Sequence, residues 1–112
     1  MRTFLDSGVL LAAWRADGLA RPALSIMSDD QREFVTSQLV RLELLPKPRF
    51  ERRLMEVRFY ESHFAEAAAC EPLSVELGRE AEVLAARYGL SGADALHIAA
   101  AIRQGVVEFY TS

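Results

Sequence analysis

This chain has no covalent bracing. Its one cysteine, Cys70, has no partner for an internal disulfide, and a lone thiol of this kind is expected inside the core. No apolar run approaches the roughly 18–20 residues that span a bilayer, which argues against a membrane partner. The N-terminus has neither a basic lead nor a small-residue cleavage site, so it does not read as a signal peptide, and a cytoplasmic protein fits best. Also missing are HExxH, CxxC, a glycine-rich phosphate loop and a GxSxG elbow, so hydroxyl-nucleophile and nucleotide-cradling chemistries lack support. The net charge of −3 does not mark a nucleic-acid binder.

What the chain does have is core-forming material. Its 112 residues are 51% hydrophobic, which suits one compact domain over residues 1–112 and excludes disorder. Thr3 to Leu5 reads as a buried strand, and Ser7 to Trp14 as an apolar helix with Asp6 or Ser7 at its N-cap. Asp17-Gly18 breaks that helix, and Pro22 suits the first turn of a second, running to about Ser28. Glu33 to Ser37 is a second strand, after which Ser37 caps a helix that Pro46 and Pro48 end. Phe50, Leu54, Val57, Tyr60, Phe64 and Ala68 recur at three and four, predicting the longest helix from Phe50 to about Ala69. A weak strand near Glu71, helices over Val75 to Tyr88 and Ser91 to Gln104, and a last strand over Val106 to Tyr110 complete the pattern. Strands separated by helices predict an α/β fold, a three-layer α/β/α sandwich around a central parallel sheet.

Three acids lie inside apolar segments. Asp6 ends Phe4-Leu5-Asp6, Glu43 lies within Leu42-Glu43-Leu44-Leu45, and Asp94 opens Asp94-Ala95-Leu96-His97-Ile98. A carboxylate at a core edge costs free energy unless it is paired or metal-bound. The other acids lie mostly in mixed-charge stretches and need no such account. Each of the three also has a plainer reading: Asp6 as a helix cap, Glu43 as an i+4 partner of Lys47, Asp94 as part of a loose capping box after Ser91. Sites in parallel sheets lie beyond the strand C-termini, where Asp6, the Ser37 helix bearing Glu43, and Thr111 all fall. Asp94 lies one turn into the helix before the last strand. Clustered carboxylates without a protein nucleophile suit metal-assisted hydrolysis, with Mg²⁺ or Mn²⁺ as hard, oxygen-loving ions. His97, at i+3 from Asp94, is read as packed against a neighbouring helix, and His63, near Glu61 and Glu66, as a surface residue.

Charge is also uneven. From Pro46 to Arg58, five cations (Lys47, Arg49, Arg52, Arg53, Arg58) face two anions (Glu51, Glu56). Such a strip is ordinarily a solvated helix face, but Lys47, Arg49, Arg52 and Arg53 become candidate RNA contacts if the acids act on nucleic acid.

Phe4-Leu5-Asp6-Ser7-Gly8-Val9-Leu10, Leu42-Glu43-Leu44-Leu45-Pro46 and Leu90-Ser91-Gly92-Ala93-Asp94-Ala95-Leu96-His97 together resemble the PIN domain, and within it the VapC-type toxin ribonucleases. The resemblance implies a divalent-metal-dependent endoribonuclease with RNA favoured over DNA as substrate, acting as the toxin of a type II toxin–antitoxin pair. Asp6, Glu43 and Asp94 would then be the catalytic and metal-binding carboxylates. Glu43 would position or deprotonate water, and Ser7 and Thr111 would orient carboxylates or water around them. It further implies a homodimer and an antitoxin inserted into the active-site groove. The family's last strand usually ends in Thr-x-Asp, followed by a helix and an edge strand. Thr111-Ser112 looks like the start of that motif; the fourth acidic position would fall at the next residue, and the further helix and edge strand of the family are not seen in this sequence. Two alternatives stand beside the nuclease: a catalytically inactive PIN-like binding module, and a flavodoxin-like receiver. No lysine follows Lys47, which counts against the receiver.

Overall fold

A central strand, β1 (Arg2–Leu5), is flanked by β2 (Glu33–Ser37) and β4 (Glu108–Tyr110), and β3 (Ala69–Glu71) extends the sheet beyond β2. Every pairing is parallel, with Phe4 beside Val35 and Phe109, and Ser37 beside Glu71. The architecture is that of a computed structural model, which describes residues 1–15 and 20–111. Parallel neighbours need long crossovers, and helices supply them. α1 (Ser7–Arg15) and α2 (Ala20–Met27) link β1 to β2. α3 (Gln38–Leu44), α4 (Pro46–Phe50) and α5 (Leu54–Glu66) link β2 to β3, while α6 (Val75–Tyr88) and α7 (Gly92–Arg103) link β3 to β4. The result is the expected α/β arrangement, a parallel sheet flanked by helices. No helix among the described residues is long and apolar enough to cross a membrane. The Asp17-Gly18 break lies outside the described residues.

Phe4, Leu5, Leu10, Val35, Val40, Tyr60 and Leu77 are fully buried and define the core, burial being the main favourable term in folding. Local signals set the helix ends. The hydroxyls of Ser37, Ser74 and Ser91 accept from the backbone N–H three residues on, and Gly89 closes α6 at φ 67°. β4 is tied across the sheet by Glu108. Its Oε1 pairs with Arg32 Nε at 2.8 Å and accepts from the Thr3 hydroxyl at 2.8 Å. The Arg32 guanidinium, then the Thr3 hydroxyl, hold the Glu108 carboxyl down to about 2.

Four expectations need correction. The long helix predicted from Phe50 to Ala69 is two helices, because Glu51–Arg53 turn between them with Arg52 at φ 56°. Phe50 is 88% exposed, so the apolar stripe covers the core only from Val57 onward. Pro46 starts α4 instead of simply ending α3; a first-turn proline gives up an N–H that has no helical partner anyway. Cys70 is exposed on β3, an edge strand whose outer side nothing pairs among the described residues. His63 is buried at 5% exposure, between the rings of Phe34 and Phe64.

Candidate active site

The C-terminal edge of the sheet gathers the residues singled out above. Asp6 follows β1 directly, and its N–H donates to the Tyr110 carbonyl of β4 at 3.1 Å. Its side chain is buried, and Oδ1 accepts from Val9 N–H at 3.1 Å. Asp6 therefore caps α1 and also stands at the mouth of the sheet; the plainer reading and the site reading hold together. Asp94 sits in the first turn of α7, exposed, with its N–H donating to Ser91 Oγ at 3.2 Å. Asp6, Asp94, His97 and Thr111 line one cleft of about 260 Å³, closed on its apolar side by Leu90 and Phe109.

Glu43 belongs to the neighbouring surface. It lies near the end of α3, and its Oε1 accepts from the Ser7 hydroxyl at 2.9 Å and lies 2.7 Å from His97 Nε2. Lys47, its expected i+4 partner, is not its contact. The His97 Nδ1 is buried without a hydrogen-bond partner among the described residues. His97 is thus packed in the interior, with its ring tilted on Phe4 at 6.2 Å, and it also bridges the two surfaces. Glu43 lines a second cleft of about 390 Å³ with Trp14, Lys47, Arg53 and Tyr60.

The donors of the first cleft are carboxylates and a hydroxyl, the hard oxygen ligands that Mg²⁺ or Mn²⁺ prefer. Among the described residues no three histidine, cysteine, aspartate or glutamate side chains converge tightly enough to cage an ion by themselves. Asp6 and Asp94 are the residues of this cleft that would hold such an ion, with water completing its shell.

The basic strip divides. Lys47 and Arg53 line the cleft beside Glu43. Arg49 pairs with Glu61 at 2.6 Å in the open, and belongs to a separate shallow depression with Gln38 and Pro46. Arg52 occupies the turn between α4 and α5. Sequence reasoning passed over two further buried acids. Glu56 accepts from the Tyr60 hydroxyl at 2.8 Å and pairs with Arg53 at 3.1 Å. Glu71 pairs with Arg103 at 2.6 Å. The i, i+4 spacing of Glu56 and Tyr60 on one helix face was the available signal for the first.

The PIN domain matches residues 3–112. No curated protein is significantly similar to the chain in sequence. Among solved structures, VapC20 of Mycobacterium tuberculosis, described as a Sarcin-Ricin loop cleaving toxin, superposes at TM-score 0.74 and 19% identity, covering 98% of this chain and 88% of that one. A toxin–antitoxin complex from Klebsiella pneumoniae gives 0.71 at 16% identity, covering 98% and 86%. VapBC2 from Rickettsia felis, bound to a DNA fragment from their promoter, gives 0.69 at 12% identity, covering 100% and 88%. At such identities the likeness is one of fold, and the match along the sequence supplies the family: the chain belongs to the PIN domain family.

Proposed function

We propose that the protein is a divalent-metal-dependent endoribonuclease, the toxin of a toxin–antitoxin pair. The observation that carries this reading is the shared cleft of Asp6, Asp94 and Thr111 at the C-terminal edge of a parallel sheet. Asp6 and Asp94 would hold Mg²⁺ or Mn²⁺, and Thr111 would orient its waters. When bound, such an ion acidifies a water and offsets charge on a phosphodiester. Glu43, positioned by Ser7 and His97, would accept the proton of the water that attacks phosphorus as the P–O bond to the leaving ribose oxygen breaks. Lys47 would carry an adjoining RNA phosphate, with Arg53, already paired with Glu51 and Glu56, and Arg49 and Arg52 as outlying contacts.

RNA as substrate, a cytoplasmic setting, a homodimer and an antitoxin partner all belong to this proposal. They draw support from family membership and from neighbours described as toxins or toxin–antitoxin complexes. A second reading, a catalytically inactive PIN binding module, is favoured by one observation: no three ligands form a ready-made metal cage among the described residues. Incubating the purified protein with structured RNA, in Mn²⁺ and in EDTA, separates the two. Cleavage that needs Mn²⁺ and disappears in Asp94→Asn supports the nuclease, and intact RNA in every arm supports the module.

A further inference from the structure

The cleft beside Glu43 has a floor and walls that the hydrolytic chemistry does not use. Its volume of about 390 Å³ falls in the range of roughly 300–1,000 Å³ that accommodates small-molecule ligands. Trp14 and Leu11 supply an apolar wall, and the Trp14 ring is fixed by a tilted contact with Phe59 at 5.6 Å. Lys47 and Arg53 bring positive charge to it. Within lies the Glu56 carboxylate, whose side chain is only 7% exposed. Tyr60 donates to its Oε2 at 2.8 Å and Arg53 Nε meets its Oε1 at 3.1 Å, which fixes the carboxylate in one orientation. Burial, then the bond to Glu56, push the Tyr60 phenol up, so its proton stays on the bond to Glu56.

Glu56 is paired on both oxygens, and it also stands beside an aromatic wall in the cleft that Glu43 lines. Each of its oxygens has a second lone pair, so it can still accept two donors side by side. Aromatic faces stack bases, and single-stranded RNA is read along the Watson–Crick edge of bases stacked in this way. Guanine alone presents two adjacent donors there, the ring N1–H and the 2-amino group. Adenine and cytosine each offer a donor beside an acceptor, and uracil a donor between two carbonyls. We propose that this cleft binds the nucleobase beside the cleaved phosphodiester, with Glu56 selecting guanine and Trp14 stacking on it. The proposal rests on the nuclease reading for its place in the reaction, but binding of the base itself needs no metal.

Trp14 is the chain's only tryptophan, so its fluorescence reports occupancy of the cleft directly. The intact protein in EDTA would be titrated with GMP, IMP, AMP, CMP and UMP. GMP is expected to quench saturably and to bind about tenfold or more tighter than AMP, CMP or UMP, the scale of one bidentate base contact. IMP, which lacks the 2-amino group, should fall between GMP and the others. Glu56→Gln, which replaces one acceptor by a donor, should lose the preference for GMP while still quenching. Should that variant fail to fold, the GMP-to-IMP difference in the intact protein still decides the matter. Equal quenching by all nucleotides, or no saturable quenching, overturns the assignment and leaves the cleft to a protein partner. Guanine-selective binding without any metal-dependent cleavage would sink the nuclease reading alone, and cleavage indifferent to guanine would sink this proposal alone.

Discussion

His97 Nε2 stands 2.7 Å from Oε1 of Glu43, and the Ser7 hydroxyl donates to the same oxygen at 2.9 Å. Three elements, α1, α3 and α7, are therefore joined at one carboxylate oxygen. Ser7 follows the buried Asp6, and His97 shares the cleft of Asp6 and Asp94. Motion of Glu43 is thus tied to the placement of the two aspartates. This couples the carboxylate proposed to handle water to the pair proposed to hold the ion.

The first prediction follows from that contact. His97→Leu removes the polar contact and should lower the rate of RNA cleavage about 10- to 100-fold, the usual loss when a residue that orients a functional group is removed. His97→Gln keeps a polar side chain facing Glu43 and should restore part of it. In a double-mutant cycle with Glu43→Gln, the losses should be far from additive, because both changes disable one group. Additive losses in single-turnover rates would show that His97 acts by packing alone.

The second prediction concerns the aspartates. Asp94 is exposed at a helix start, so Asp94→Asn should leave the fold cooperative and abolish Mn²⁺-dependent cleavage. An ion that binds only the folded chain stabilises it by about 2.7 kcal/mol at a hundredfold excess over its dissociation constant. In a domain of this size that corresponds to roughly 4 °C in midpoint per kcal/mol. Thermal melts with and without millimolar Mn²⁺ should show the rise in the parent protein and in Glu66→Gln. Asp6→Asn and Asp94→Asn should show none. Melting indifferent to Mn²⁺ in the parent protein would favour the inactive module.

The division of the basic strip yields a third prediction. Lys47→Glu, in the cleft beside Glu43, should weaken RNA binding and reduce the salt slope by about 1, as expected for one lost phosphate contact. Arg49→Glu should change both less, because Arg49 is already paired with Glu61 away from that cleft. Binding isotherms at several salt concentrations check this. A larger effect at Arg49 than at Lys47 would place the RNA path on the other side of α4.

Much of this was legible from local chemistry. Glu33–Ser37 and Val75–Tyr88 have the bounds that β-branched content, a serine cap and Gly89 imply. Asp6, Ser7 and Thr111 were placed at the sheet edge by strand order alone. The contact of Glu43 with His97 was not legible, because it joins two helices whose packing no local pattern specifies. The break at Arg52 was hidden because the three-and-four spacing of Phe50 and Leu54 continues across it, while their exposure of 88% and 64% is a tertiary fact. His63 was misread from its charged neighbours. The spacing of Glu56, Tyr60 and His63 on one helix face was the better guide, since all three are buried.

That burial supplies the last prediction. Removal from water pushes the His63 imidazole down to about 4, and its Nε2 has no hydrogen-bond partner among the described residues. The phenylalanine rings on either side offer no counter-charge. An unfolded chain would titrate this histidine near 6.5. Between those values the unfolded state binds more protons than the folded one, so stability must rise with pH across that window. On acidification it falls progressively from about 6.5 and has lost the full increment below about 4. The increment is of order 3 kcal/mol for a depression of this size. His63→Phe or His63→Leu removes the titrating group and should flatten that part of the profile, whatever it does to stability at neutral pH. Urea midpoints measured from pH 7 to pH 4 in the parent and the variant provide the check. An equally steep acid loss in both proteins would assign the pH dependence to the carboxylates, and would mean that the folded protein can protonate His63 at little cost.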